Sequence, residues 1–161
     1  MSITIGQPAP AFSLYNSQQE LVTLQEYKGK KNVLLLFFPL AFTSVCTKEL
    51  CSVRDGINKY QDDETEVIGI SVDSAYTLAK YAEEQQYQFP LLSDFNKEVS
   101  TLYGAIYESF SKMELRGVSK RAAFVIDKTG VVQYAEVLDN AGQVPDFDLI
   151  DQKLNALRNI V

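Results

Sequence analysis

Cys46 and Cys51 are the two thiols of the chain, and no histidine accompanies them. A thiol reacts as its thiolate, and a free cysteine with a pKa of about 8.5 is only a few per cent ionised at neutral pH. Without histidine, a cysteine–histidine nucleophile pair is impossible. Activation has to come from backbone N–H groups, hydroxyls or an arginine. Cys46 stands where these could converge. An apolar run at 33–38 reads as a buried parallel strand, and Pro39 ends it because proline cannot donate to a ladder. Thr43 and Ser44 are of the type that caps a helix start. From there Cys46, Leu50, Val53, Ile57 and Tyr60 recur at spacings of four and three, one face of a helix over roughly 44–61. The first turn of a helix offers unpaired N–H groups and a partial positive charge, and both favour a thiolate. With an arginine nearby, the pKa of a cysteine so placed can fall to between about 3.5 and 7.5. The plainer alternative is that Cys46 is one more small buried residue of the apolar stripe.

The elements that would hold such a site follow from the pattern of the chain. Residues 12–15 and 21–24 alternate in polarity around a polar turn and read as a hairpin. After the strand at 33–38 and its helix come a buried strand at 67–72 and a helix at 75–86, with Ala75, Leu78, Ala79 and Ala82 inward. A short strand at 89–92 leads to a helix at 96–103, closed by Gly104 as a left-handed cap. Residues 107–120 are polar and irregular. Strands at 122–126 and 131–137 form a hairpin, and Phe147, Ile150, Leu154 and Leu157 mark a final helix at 146–159. Strands alternating with helices, then a hairpin and a helix, predict an α/β fold. Its central mixed sheet is flanked by helices, with a hairpin added at the N-terminus. The 161 residues suit a single domain spanning 1–161.

Composition narrows the function classes. A net charge of −6 with no basic cluster argues against nucleic acid. No apolar run approaches the ~20 residues of a membrane span, and no secretory leader is visible, so the expected location is cytoplasmic. Two cysteines and no histidine cannot complete a four-ligand zinc site, and no cofactor is expected.

Two separated motifs carry a resemblance. Pro39, Thr43 and Cys46 in the pattern Pro-x-x-x-Thr-x-x-Cys resemble the active-site motif of the peroxiredoxins, thiol peroxidases with a thioredoxin-like fold. The segment from Lys120 to Asp127 resembles the family stretch whose arginine approaches the sulfur, which makes Arg121 the candidate ahead of Arg54 and Arg116. The resemblance runs from Pro8-Ala9-Pro10 to the last strand. Phe38 to Thr43 is most similar to the alkyl hydroperoxide reductase E type, whereas C-x-x-x-x-C resembles peroxiredoxin Q. It implies a thiol-dependent peroxidase that reduces hydroperoxides through a sulfenic acid on Cys46. Pro39 would shield the sulfur, Thr43 would hydrogen-bond the sulfur or the peroxide, and Arg121 would hold both. Read without the resemblance, Thr43 is a helix cap. Glu49 matches a family position as well as suiting the first turn of a helix, and both roles stay open. Ser44 and Ala123 depart from the family pattern, which commonly has glycine and Ser or Thr there.

Two readings stand for Cys51: an inert half-buried thiol, or the resolving cysteine that attacks the sulfenic acid of Cys46. Five residues along an intact helix separate the Cα atoms by about 8.7 Å. A disulfide needs less than about 7 Å. Resolution by Cys51 therefore requires the helix to open locally; otherwise an external thiol resolves Cys46. The expected reductant is thioredoxin or another small thiol, and the resemblance implies a possible homodimer. A peroxide sensor that passes oxidation to a partner is the competing function. Arg121→Ala is expected to slow the peroxide step far more than it lowers stability.

Overall fold

The structure, a computed structural model, describes residues 3–158. The chain begins with strands Ser13–Asn16 (β1) and Leu21–Thr23 (β2), and after a short 3-10 turn enters Asn32–Phe37 (β3). Helices Ser44–Asp55 (α1) and Ile57–Tyr60 (α2) follow, then Thr65–Ser71 (β4), Ala75–Gln85 (α3) and Leu91–Ser93 (β5). Glu98–Leu102 (α4) leads to the short strands Ile106–Tyr107 (β6) and Val118–Ser119 (β7). Arg121–Ile126 (β8), Val132–Leu138 (β9) and Phe147–Arg158 (α5) complete the order.

Seven strands form one sheet in the order β2-β1-β5-β4-β3-β8-β9. β3 runs parallel to β4, and β4 to β5, while β8 and β9 are antiparallel, so the sheet is mixed. The first two strands pair as the expected hairpin and dock antiparallel on β5. β3 lies inside the sheet between β4 and β8 and is buried along its whole length, which is why its sequence after Asn32 is apolar without alternation. Its pleat sends Leu34, Leu36 and Phe38 into the core shared with α1, α3 and α5. Val33, Leu35 and Phe37 face the opposite core, with Phe12, Val99 and Tyr103.

Gly69 on β4 makes room on the α1 side of the sheet. A Cβ there would lie 2.7 Å from Leu91 Cδ2 and 3.4 Å from the Phe38 ring.

Several elements differ from the sequence expectation. The helix expected over 44–61 breaks at Gly56 (φ −106°, ψ 29°), a poor helix former, although the apolar stripe continues across the break. On α3 the fully buried residues are Leu78 and Tyr81, and the alanines are only partly covered. Tyr81 can go inside because its hydroxyl finds a partner there, Thr47 Oγ1 at 2.9 Å. The helix expected over 96–103 contracts to α4, because Asp94 accepts from the Val99 and Ser100 amides at 3.1 and 2.6 Å. Gly104 has the expected left-handed φ of +67°. The irregular stretch contains the β6–β7 pair, and the strand expected at 89–92 begins only after Pro90. The end of the final helix at Asn159 lies outside the described residues. No helix among the described residues is long and apolar enough to cross a membrane.

Candidate active site

Two register facts bring the site together. β3 and β4 are parallel, so their C-terminal ends open on the same edge of the sheet. β8 is antiparallel to β3 with Phe37 opposite Ala122, so Arg121 at the start of β8 reaches that same edge. Arg121 also shares a face with Ala123 and Val125, the face on which α1 packs. The chain leaves β3 through Pro39 and turns into α1, whose first turn carries Cys46.

Cys46 is 1% exposed and is a free thiol. Arg121 Nη2 donates to its sulfur at 3.2 Å. The same guanidinium donates from Nη1 to Glu49 Oε1 at 2.7 Å, and from Nε and Nη2 to the Ala141 carbonyl at 3.2 and 3.1 Å. Cys46 and Glu49 are three residues apart on α1, neighbours on one helix face, so one planar fork holds both. Arg121 is itself 1% exposed and Glu49 2%, which makes this a buried ion pair set against a sulfur.

The electrostatics of the pair are asymmetric. Burial pushes the Glu49 carboxyl up to about 7, against the pull of Arg121. Burial also works against the Arg121 cation, yet Glu49 and Cys46 outweigh it and hold the guanidinium above its ordinary value. The two directions are compatible because the guanidinium keeps its proton throughout, and the carboxyl is the partner that titrates. Glu49 Oε2 is buried without a hydrogen-bond partner, which adds to the cost of the charged form.

The loop over the sulfur has its own ties. Thr43 is the residue before α1, but its hydroxyl neither caps the helix nor bonds the sulfur. It donates to the Leu40 carbonyl at 2.7 Å, satisfying an acceptor the tight loop would otherwise strand. The hydroxyl lone pairs stay free. Pro39 is buried, and Phe42 adopts φ +66° with its ring 4.8 Å from Tyr81. Asp73 Oδ2 accepts from the Ala41 amide at 2.7 Å and from Ser71 Oγ at 2.6 Å, pinning the loop to the end of β4.

Cys51 lies elsewhere. α1 is continuous through both cysteines, and five helical steps turn the side chains about 140° apart. Half-buried Cys51 donates to Gln85 Oε1 at 3.3 Å and lies 3.6 Å from the Tyr87 hydroxyl. Arg54 belongs to that side, donating to the Gln85 carbonyl at 2.7 Å and to Asp55 at 3.0 Å. Arg116 is exposed. Of the three arginines, Arg121 is the one at the sulfur. Among the described residues, no group of three or more His, Cys, Asp or Glu side chains is arranged to hold a metal.

The profile of the AhpC/TSA family matches residues 5–135, from the N-terminal segment into β9. The chain belongs to this family. Its AhpC/TSA relatives include alkyl hydroperoxide reductase E of Mycobacterium bovis, 40% identical over 157 residues, covering 96% of this chain and 98% of the relative. Among solved structures, the reduced 2-Cys peroxiredoxin of Plasmodium vivax superposes with a TM-score of 0.80 at 30% identity, with 96% of each chain covered. BcpB of Mycobacterium tuberculosis does so with a TM-score of 0.80 at 29% identity, with 99% of each chain covered. The fold is the thioredoxin fold of the AhpC/TSA peroxiredoxins.

Sequence reasoning singled out Cys46, Arg121 and Glu49, and the structure joins them through hydrogen bonds. Pro39 and Thr43 lie in the loop beside them, and Cys51 does not. It missed Asp73, Tyr81 and the Ala141 carbonyl. Asp73 had a signal: it follows a parallel strand directly, at the edge where Pro39 also emerges, and α/β folds gather their sites there. The carbonyl, a backbone group, had none.

Proposed function

We propose that this thiol-dependent peroxidase reduces hydroperoxides at Cys46 and resolves the product through Cys51. The observation that carries the reading is the Arg121 Nη2 contact to Cys46 Sγ at 3.2 Å inside the first turn of α1. A guanidinium hydrogen-bonds a thiolate more strongly than a thiol, so it favours the reactive form. The thiolate attacks one peroxide oxygen, the O–O bond breaks, and Cys46 becomes a sulfenic acid. The departing oxygen leaves with the electron pair and takes a proton to become an alcohol or water. Arg121 donates toward the developing charge, Thr43 accepts from the peroxide O–H, and Pro39 keeps water and bulky thiols away. Glu49 positions the guanidinium.

Burial of Cys46 supports the second half of the proposal. At 1% exposure its sulfenic acid is hard for a protein reductant to reach, whereas Cys51 is partly exposed. Attack by the Cys51 thiol on the sulfenic sulfur forms the disulfide and releases water, and thioredoxin or another small dithiol then reduces it. Such reductants keep thiols reduced in the cytoplasm, the compartment we propose. A homodimer belongs to the same proposal and rests on the family resemblance, with half-exposed Phe42 beside the site available to it.

Peroxide consumption with thioredoxin, measured for wild type, Cys46→Ser and Cys51→Ser, tests the reading. Cys46→Ser should be inactive, and more than trace turnover refutes the nucleophile. Cys51→Ser should stop at a sulfenic acid and over-oxidise. Equal turnover and over-oxidation in wild type and Cys51→Ser refute the resolving role.

A further inference from the structure

Beside the apolar stripe of α1 runs a second one, polar, at Thr47, Cys51 and Arg54. Its spacing of four and three places all three on one face, and each meets α3 or the residue just past it. Thr47 Oγ1 pairs with the Tyr81 hydroxyl at 2.9 Å, and Cys51 meets Gln85 Oε1 and the Tyr87 hydroxyl. Arg54 Nη1 donates to the Gln85 carbonyl at 2.7 Å, at the end of α3, where Gln86 turns left-handed (φ 55°) and leaves a backbone acceptor open. Tyr87 is fixed in turn, its ring 5.2 Å from Phe89 and 5.3 Å from Tyr81. Burial pushes the Tyr87 phenol up, so it stays protonated and able to donate at neutral pH.

This seam holds Cys51 on the wrong side of the helix for the disulfide. The Cys51 thiol gives its one proton to Gln85 while Cys46 faces Arg121 about 140° around the axis. Unwinding α1 to bring the sulfurs together must break the Cys51 contacts, and the Arg54 contact goes with them.

We infer that Gln85 and Tyr87 are positioning residues for the resolving step, holding Cys51 in the closed helix so that their release governs how fast the disulfide forms. The inference rests on the reading of Cys51 as the resolving thiol. The step itself is balanced: the Cys46 S–O bond breaks, an S–S bond forms, and the hydroxyl leaves as water with the Cys51 proton. Neither residue touches the peroxide or Cys46, so the first chemical step is independent of them. The seam sets the lifetime of the sulfenic acid, and with it the exposure of the enzyme to over-oxidation by a second peroxide.

The test is rapid acid quench of the reduced protein after one equivalent of hydrogen peroxide. Thiol alkylation, dimedone labelling and mass spectrometry then count thiol, sulfenic acid and disulfide at each time. Tyr87→Phe keeps the ring packing and loses only the hydroxyl, and Gln85→Ala removes the acceptor of the Cys51 thiol. Both variants should form sulfenic acid at the wild-type rate and disulfide about two- to tenfold faster, the range for loss of one hydrogen bond. Their amides from 47 to 54 should also exchange faster in the reduced state. If wild type forms the disulfide and both variants form it no faster, the inference is overturned while the resolving role of Cys51 stands. If wild type forms no disulfide, both fall.

Discussion

Replacing Glu49 with glutamine removes a titration while keeping the shape of the side chain. The amide oxygen can still accept from Arg121 Nη1, as Oε1 does at 2.7 Å. In the wild type, burial pushes the carboxyl from 4.5 up to about 7, with Arg121 opposing. The folded chain therefore holds this proton at pH values where the unfolded chain has released it. The stability linked to Glu49 is complete below about 4.5 and is lost as pH rises through about 7. A shift of about 2.5 units, at about 1.4 kcal/mol each, amounts to about 3 kcal/mol. Urea unfolding from pH 4.5 to 8 measures it, because every other titrating group is common to the two proteins. Wild type should lose about 3 kcal/mol more than Glu49→Gln over that range. The peroxide rate of wild type should also carry an inflection near pH 7 that the variant lacks, since the carboxylate lies one guanidinium away from the sulfur. Parallel stability curves would refute the argument that burial outweighs the ion pair.

Arg121→Ala should slow the peroxide step about 10²- to 10³-fold, the usual loss for one aimed donor, as read by stopped-flow. It should also cost about 1–3 kcal/mol of stability, because it leaves the buried Glu49 carboxyl and the Ala141 carbonyl without their donor. That stability cost is larger than the sequence led us to expect, since an arginine beside a strand is ordinarily solvated. Asp73→Ala frees the Ala41 amide and the Ser71 hydroxyl, and should reduce kcat/KM about tenfold with a loss of about 1–3 kcal/mol on denaturation. Gly69→Ala forces a methyl to within 2.7 Å of Leu91 and should lower stability by about 1–3 kcal/mol while leaving the peroxide rate unchanged.

Periodicity reveals what repeats, and the nucleophile lies on a repeat. Cys46, Leu50, Val53 and Tyr60 are buried together because their spacing compels it. Strand β3 was equally plain, since Val33 to Phe37 are buried on both faces and form an unbroken apolar run. Arg121 needed the family motif, because nothing local distinguishes it from Arg54. Its role in the geometry follows from the antiparallel register of β8, a long-range fact. Tyr81 was hidden among alanines: its ring and hydroxyl suit either surface or core, and Thr47 decides in favour of the core. Two-residue strands such as β6 and β7 are too short for alternation to show.

Gly56 has a mechanical consequence. It divides what would be one long rod into two, and the parts are anchored differently. α2 is held from the far side, with the Tyr60 ring 5.7 Å from Phe147 and the Lys59 carbonyl accepting from Arg158 Nη2 at 2.9 Å. α1 leans on α3 and on the sulfur site. If oxidation melts α1, the damage meets a fracture line already built into the chain and stops there. The twelve residues of α1 would then behave as a crumple zone, and α2 with α5 as the frame behind it. Amides at 57–60 should thus keep their exchange protection in the disulfide form while those of α1 lose it. Each catalytic cycle would disturb one short segment, and the remainder of the sheet and its helices would serve as the template on which that segment refolds.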